Sequence, residues 1–345
     1  MTPEPARADS IRAAFRSQAR ACARLGSPLM ERLLHGLAGS LQPGTPLTDR
    51  ILTWPGDPGP AGDALPLRLA AGLHALVLSG TAPALAKAYA AGTPLPAALD
   101  ALQTHAAQLD RWLDHPPQTN ELRRSAPLLA AGHLLTARFG LPLALSELGA
   151  SAGLNLLWDR CTLTLPGLTL GTGPIHLAPD WDGPLPPARP ITIADRAGCD
   201  LHPLDPVTDR LRLLAYLWPD QPDRLSRTEA ALREAARLRP PLTQADAADW
   251  LDHRLVPPRQ GTLHIVFHTI AAQYFPAATR ARIAATLAAA GTKVTPTAPL
   301  AHLAMEADGT PDGAALTLTT WPGGQTESLG RACFHGRWLR WSPDR

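Results

Sequence analysis

The stretch Leu143–Arg160, LALSELGASAGLNLLWDR, decides how the rest of the chain is read. It opens on an apolar run of strand length and reaches an acid at Glu147. It then passes through Gly149, Ala150, Ser151, Ala152 and Gly153 and resumes an apolar pattern at helical spacing. A strand that turns through small residues into a helix brings main-chain N–H groups to the rim of a parallel sheet. There a ligand can approach without meeting Cβ atoms. Glu147, Gly149, Ser151, Gly153 and Asn155 are therefore candidate ligand-holding residues. The same small residues also suit a tight strand-to-helix connection that binds nothing.

Toward the carboxyl end, short apolar runs alternate with longer helical patterns, which is the grammar of βα units. Strands are predicted at Leu143–Leu148, Ile191–Ala194, Leu242–Ala245, His264–His268, Leu300–Met305, Ala315–Thr320 and Arg331–Trp338. Helices are predicted at Ala152–Arg160, Val207–Leu217, Arg224–Arg237 and Ala277–Ala290. Between 161 and 190, alternating Thr and Leu in CTLTLPGLTL predict an inserted β-hairpin. Residues 140–345 thus read as an α/β core, Rossmann-like, with a mostly parallel sheet.

Toward the amino end the grammar differs. Up to residue 139 the only β-branched aliphatic residues are Ile11, Ile51 and Val77, so strands are disfavoured there. Ala and Leu recur instead at helical spacing over Ala13–Leu25, Pro28–Leu41, Leu65–Leu78, Ala82–Ala90, Leu95–Leu113 and Asn120–Phe139. Residues 1–139 read as an all-α N-terminal capping domain, with a Pro- and Gly-rich surface loop at Gln42–Gly62.

Composition narrows the function classes. The 345 residues carry a formal net charge of +2 with no long run of either sign, which argues against a nucleic-acid partner. No apolar stretch approaches the roughly 20 residues of a bilayer span, and the N-terminus lacks a secretory apolar region, so no membrane partner and a cytoplasmic location are expected. The four cysteines form no CxxC pair, and reduced thiols are expected. Asp195–Asp205 gathers acids and a histidine, but its spacing fixes no coordination geometry, and no metal is assigned.

The turn resembles the acid-x-Gly-x-small-x-Gly turn of S-adenosylmethionine-dependent methyltransferases, with Ser151 in place of the middle glycine. That resemblance implies that the turn cradles the methionine half of the cofactor. It places Asp195, closing ITIAD, against the ribose, and Asp246, in LTQADAADWL, near the adenine. At the tip of the fourth core strand, GTLHIVFHT, His268 would act as a proton acceptor with Tyr274 and Gln273 beside it. The polar run Gln118, Asn120, Glu121 and Arg124 would order a small-molecule substrate over the crevice. Glycine, serine and glycine at 149, 151 and 153 also spell the GxSxG elbow of serine hydrolases, with Ser151 as nucleophile. That reading lacks the strands an elbow should follow. A non-catalytic cofactor- or nucleotide-binding protein of the same fold is the third reading. In order along the chain, FRSQARAC, QTNELRRS, ELGASAGLNLLWDR, DRAGCDLHPLD, WPDQPDR, FHTIAAQY, WPGG and HGRW resemble DUF2332, a bacterial family of unknown function. A methyltransferase acting on a small molecule is the expectation carried forward.

Overall fold

A computed structural model describes residues 5–118 and 120–343. The helices in chain order are α1 (Pro5–Arg24), α2 (Pro28–Ser40), α3 (Pro46–Leu52), α4 (Leu65–Leu78), α5 (Pro83–Ala90), α6 (Leu95–Thr104), α7 (Ala106–Trp112), α8 (Ser125–Phe139), α9 (Arg210–Ala215), α10 (Pro222–Leu238), α11 (Ala247–Arg254) and α12 (Ala277–Gly291). The strands are β1 (Leu143–Leu148), β2 (Cys161–Leu165), β3 (Leu168–Leu170), β4 (Ile175–Leu177), β5 (Asp180–Asp182), β6 (Ile193–Asp200), β7 (Leu242–Gln244), β8 (Leu263–Thr269), β9 (Leu300–Glu306), β10 (Ala314–Trp321), β11 (Gln325–Ala332) and β12 (Trp338–Trp341). The chain divides into two units, Met1–Thr119 with Thr208–Glu229, and Asn120–Val207 with Ala230–Arg345.

The first unit is helical, as the scarcity of β-branched residues requires. Proline at the first helical position and a hydroxyl cap recur at its helix starts. Ser27 caps α2 ahead of Pro28, and Thr45 forms a capping box with Thr48 ahead of Pro46. The second of these places α3 inside Gln42–Gly62, which the sequence reading took for a loop. Phe15, Leu33, Leu37, Ile51, Leu69, Leu73 and Leu109 form its core, and Trp218 of the returning segment packs into the same cluster. That segment is tied down by polar contacts as well. Asp220 accepts from Ser27 Oγ at 2.5 Å and Leu29 N at 2.9 Å, while Tyr216 donates to His115 O at 2.6 Å.

The second unit is an α/β assembly around a nine-stranded sheet ordered β5-β12-β11-β10-β9-β8-β1-β6-β7. The pairs from β9 through β7 are parallel, whereas β9, β10, β11 and β12 pair antiparallel in succession. The carboxyl ends of β1, β6, β7, β8 and β9 therefore share one edge. The chain leaves β1 for β6 on one side and later enters β8 on the other, so the strand order reverses between β1 and β8. In open α/β sheets ligands bind at that reversal, beyond the carboxyl ends. Leu148, Cys199, Val266 and Leu300 turn to the face covered by α11 and α12. Side chains alternate along a strand, so Glu147 and its register partner Phe267 belong to the other face.

Several sequence expectations need correction. The second core strand is not Ile191–Ala194 but β6, which runs on to Asp200 through Arg196, Ala197 and Gly198, residues without strand character of their own. The helix expected at Ala152–Arg160 is a 3-10 helix, Asn155–Arg160. It starts late because Gly149, Ser151 and Gly153 all hold positive φ. The expected hairpin is a three-stranded sheet, β3-β2-β4, after which β5 joins β12 at the margin of the main sheet. The strand expected at Arg331–Trp338 is the end of β11 and the start of β12, with a turn at 333–337 between them. Finally α8, expected with the helical half, lies in the sheet unit. Its Gly132 makes room for Trp158, since a Cβ there would stand 2.5 Å from the indole ring.

Candidate functional site

The turn after β1 is held by its neighbours. Gly149 N and Ala150 N both donate to Cys199 O at 2.9 Å, Ser151 N donates to Asp200 Oδ2 at 2.8 Å, and Gly153 N donates to Ala150 O at 2.7 Å. Leu154 N donates to Asn120 Oδ1 at 3.1 Å. These N–H groups, which the sequence reading offered to a ligand, are used within the protein. Gly149 is required twice over, by a φ of 73° and by Ala271, whose Cβ would lie 2.8 Å from a Cβ at 149.

What the turn leaves open are side chains. Glu147 is 3 % exposed, and among the described residues its Oε2 has no hydrogen-bond partner; Ser151 Oγ is likewise buried without one. Burial, and then the Asp200 charge, hold the Glu147 carboxyl well above its ordinary range, against the opposing pull of the Leu156 N–H and Arg124. Its neutral form is thus favoured. Most buried polar groups in folded proteins find partners, so two orphans in one turn mark a place where a ligand group would be accommodated.

Beside the turn lies a cavity of about 270 Å³ bounded by Ala152, Pro203, Leu204, Asp205, Arg239 and Leu242. Leu204 N donates to Ser151 O at 3.2 Å and so fixes one wall to the turn. Asp200 closes β6 at this edge, and its Oδ1 accepts from His202 N at 2.9 Å.

The structure brings together only part of the sequence-predicted set. Asn155 is buried, and its Oδ1 accepts from Ser125 Oγ at 2.8 Å, joining α8 to the segment after the turn. Asn120 touches the turn through Leu154. Arg124 donates to Thr269 O at 3.2 Å and Phe334 O at 2.9 Å, and its charge reaches Glu147. Glu121 is buried and accepts from Arg123 N at 3.2 Å. Gln118 falls in the helical unit.

Asp195 is misplaced by the sequence reading. It pairs with Ala144 near the start of β1, five residues and about 16 Å of strand from Asp200. There it is bound by Arg254 at 2.5 Å and Arg259 at 2.9 Å. The acid at the crevice end of the second core strand is Asp200. Asp246 caps α11, accepting from Ala248 N and Asp249 N, and takes Thr279 Oγ1 at 3.2 Å.

His268 lies on the face opposite Glu147, and both its ring nitrogens are engaged, Nδ1 by Glu306 at 2.7 Å and Nε2 by His302 at 3.0 Å. Tyr274 is 78 % exposed, and Gln273 is exposed beside it. The cavity walls Asp205 and Arg239 had no sequence signal as a pair, because only the fold brings the loop after β6 next to the end of α10. Among the described residues, no group of three or more His, Cys, Asp or Glu side chains is placed to hold a metal ion. No single helix among them is long and apolar enough to cross a membrane.

A family model described as an uncharacterized protein conserved in bacteria, DUF2332, matches residues 12–341. No curated protein and no solved structure matches the chain.

Proposed function

This chain belongs to the DUF2332 family, a membership that assigns no activity, and we propose from its geometry that it is an S-adenosylmethionine-dependent methyltransferase acting on a small molecule. The observation that carries the reading is the pair of buried, unpartnered atoms, Glu147 Oε2 and Ser151 Oγ, in the turn where the strand order reverses. Numbered by appearance in the core, the parallel strands β7-β6-β1-β8-β9 take the order 3-2-1-4-5 of a Rossmann-type sheet.

The side chains fit the cofactor better than the backbone does. Glu147 and Ser151 would meet its amino-acid end. Asp200 would take the ribose, since a carboxylate oxygen that already accepts one N–H retains a second lone pair. Bound there, the cofactor would supply an electrophilic methyl group. The chain's own work would be orientation, with the acceptor held in the cavity walled by Asp205 and Arg239. Positioning of this kind accounts for much of the rate in a displacement reaction. Asn120 and Arg124 would cover the turn and keep water out.

Calorimetric titration with S-adenosylmethionine and its demethylated product tests the reading, with NAD and ATP as controls. Binding of the first two alone is expected. Asp200→Ala should weaken it by about 10- to 150-fold, the effect of removing a charged acceptor from a ligand hydroxyl. Asp195→Ala should leave it unchanged. Absence of binding by the wild-type protein overturns the proposal.

A serine hydrolase is the second reading. The φ of 51° at Ser151 within Gly149-x-Ser151-x-Gly153 favours it. Against it, Ser151 Oγ has no imidazole partner to take its proton. Covalent labelling of Ser151 by a phosphonate would decide for the hydrolase.

A further inference from the structure

At the sheet edge opposite the Glu147 turn, where β8 and β9 begin, a cavity of about 320 Å³ opens between the loop after α11 and the end of α12. Val256, Pro257 and Val294 give it apolar walls, and Arg259, Lys293 and His264 also face it. Beneath it lies a polar network. Arg254 Nε donates to Ser146 Oγ at 2.9 Å, and the same hydroxyl lies 2.8 Å from His264 Nε2. Arg254 Nη2 donates to Asp195 Oδ2 at 2.5 Å, and Arg259 reaches that oxygen through Nη1 at 2.9 Å.

A hydroxyl carries one proton and accepts through two lone pairs. Ser146 Oγ receives the Arg254 N–H and can give its own proton to His264 Nε2. His264 is then the Nδ1–H tautomer. The ring is 5 % exposed, and Nδ1 has no partner among the described residues. Burial, then Arg254 and Arg259, push the ring down to about 3, so it remains a neutral donor at neutral pH.

Charge points the same way. Two arginines, Arg254 and Arg259, share one carboxylate beneath the cavity. Lys293 is exposed at the rim. The acid in the wall, Asp252, is bound by Thr286 at 2.5 Å and by Arg282 at 2.7 Å, a cation it shares with Asp249. The cavity therefore presents donors and cations against an apolar wall.

We propose that this cavity binds a small organic carboxylate, with its apolar body against Val256, Pro257 and Val294 and its charged end on Arg259, Lys293 and His264 Nδ1. The site is separate from the Glu147 turn and does not depend on the methyltransferase reading.

The test is calorimetric titration of the full-length protein with hexanoate, hexanamide and inorganic phosphate. Hexanoate should bind saturably. Hexanamide, which keeps the body without the charge, and phosphate, which has charge without the body, should each bind at least about tenfold more weakly. Lys293→Gln should weaken hexanoate by about tenfold. Ala289→Trp, on the exposed side of α12 in the cavity wall, should abolish binding. Both variants should keep the wild-type melting temperature. No hexanoate binding, equal binding of hexanamide or phosphate, or an unchanged hexanoate dissociation constant in either variant overturns the proposal.

Discussion

Ser151 combines a left-handed backbone with a hydroxyl that bonds to nothing among the described residues, while its N–H is held by Asp200. The main-chain bond, not the side chain, therefore keeps the turn in place. Ser151→Ala should change unfolding free energy by less than about 1 kcal/mol, whereas Asp200→Ala, which strips a charged acceptor from two N–H groups, should cost roughly 1.5–3 kcal/mol. Urea denaturation of the two variants measures this. The reverse order would mean that the serine hydroxyl is engaged. At this scale the sequence was half legible. The strand and the turn after it were legible because an apolar run, an acid and small residues follow one another directly. Asp195 was read as the acid that ends the second core strand, where the structure has Asp200, because Ile191, Thr192 and Ile193 look like a strand and Arg196-Ala197-Gly198 do not. Burial of Ala197 and Cys199 between β1 and β7, a tertiary effect, extends the strand past the point where local propensity ends.

Among the elements, α8 depends on the absence of a side chain at Gly132. It is buried almost all round from Ser125 to Leu135, and Trp158 lies against Gly132. Gly132→Ala gains helix propensity of about 1 kcal/mol but drives a methyl into the indole ring, an overpacking cost of roughly 1–3 kcal/mol that a dense core cannot relax. Net destabilisation is expected, seen as a lower melting temperature. The double variant Gly132→Ala, Trp158→Phe should recover part of the loss, because the smaller ring frees the space. A melting temperature raised by Gly132→Ala would show that the ring can move aside. Helix positions were the most legible elements, since Ala and Leu periodicity needs no partner to be recognised. The 3-10 segment Asn155–Arg160 was not legible as such. Its residues suit an α-helix, and only the positive φ values before it and the Ser125–Asn155 bond hold it otherwise.

Across the whole molecule, buried titratable groups set the response to acid. Burial pushes His74 down to about 4, and His264 and His302 down to about 3. Unfolded, each would titrate near 6.5, so between about 3 or 4 and 6.5 the unfolded chain binds more protons. Stability then falls as the pH drops, by up to roughly 1.4 kcal/mol per pH unit for each histidine. Glu147 acts in the opposite sense. Its raised folded value gives stability that is complete below its unfolded value and is lost as pH rises. His133, likewise held down by burial, adds to these three, and the four histidines against Glu147 predict net acid sensitivity below about pH 6.5. Glu147→Gln should gain stability relative to the wild type as pH is raised from 5 to 8, a difference read from urea midpoints at each pH. A difference independent of pH would mean that Glu147 is already ionised.

The two-part makeup of the chain was legible from the loss and return of β-branched residues, but the return of Thr208–Glu229 to the helical unit was not. Nothing in that segment's composition differs from its surroundings. It has a consequence for the order of events during synthesis. When Trp112 has been made, seven helices exist, yet the wall bearing Tyr216, Trp218 and Asp220 has not been translated. The α2 start is then without Asp220, and His74 is without Ala215 O, its partner at 3.2 Å. The nascent helical half must therefore wait, incompletely closed, while the ribosome builds β1 to β6. Chains arrested at residue 139 should stay open to protease across residues 5–112, and protection should appear only once Glu229 has cleared the ribosome. For this protein, the half begun first stays open until much of the sheet unit has been made.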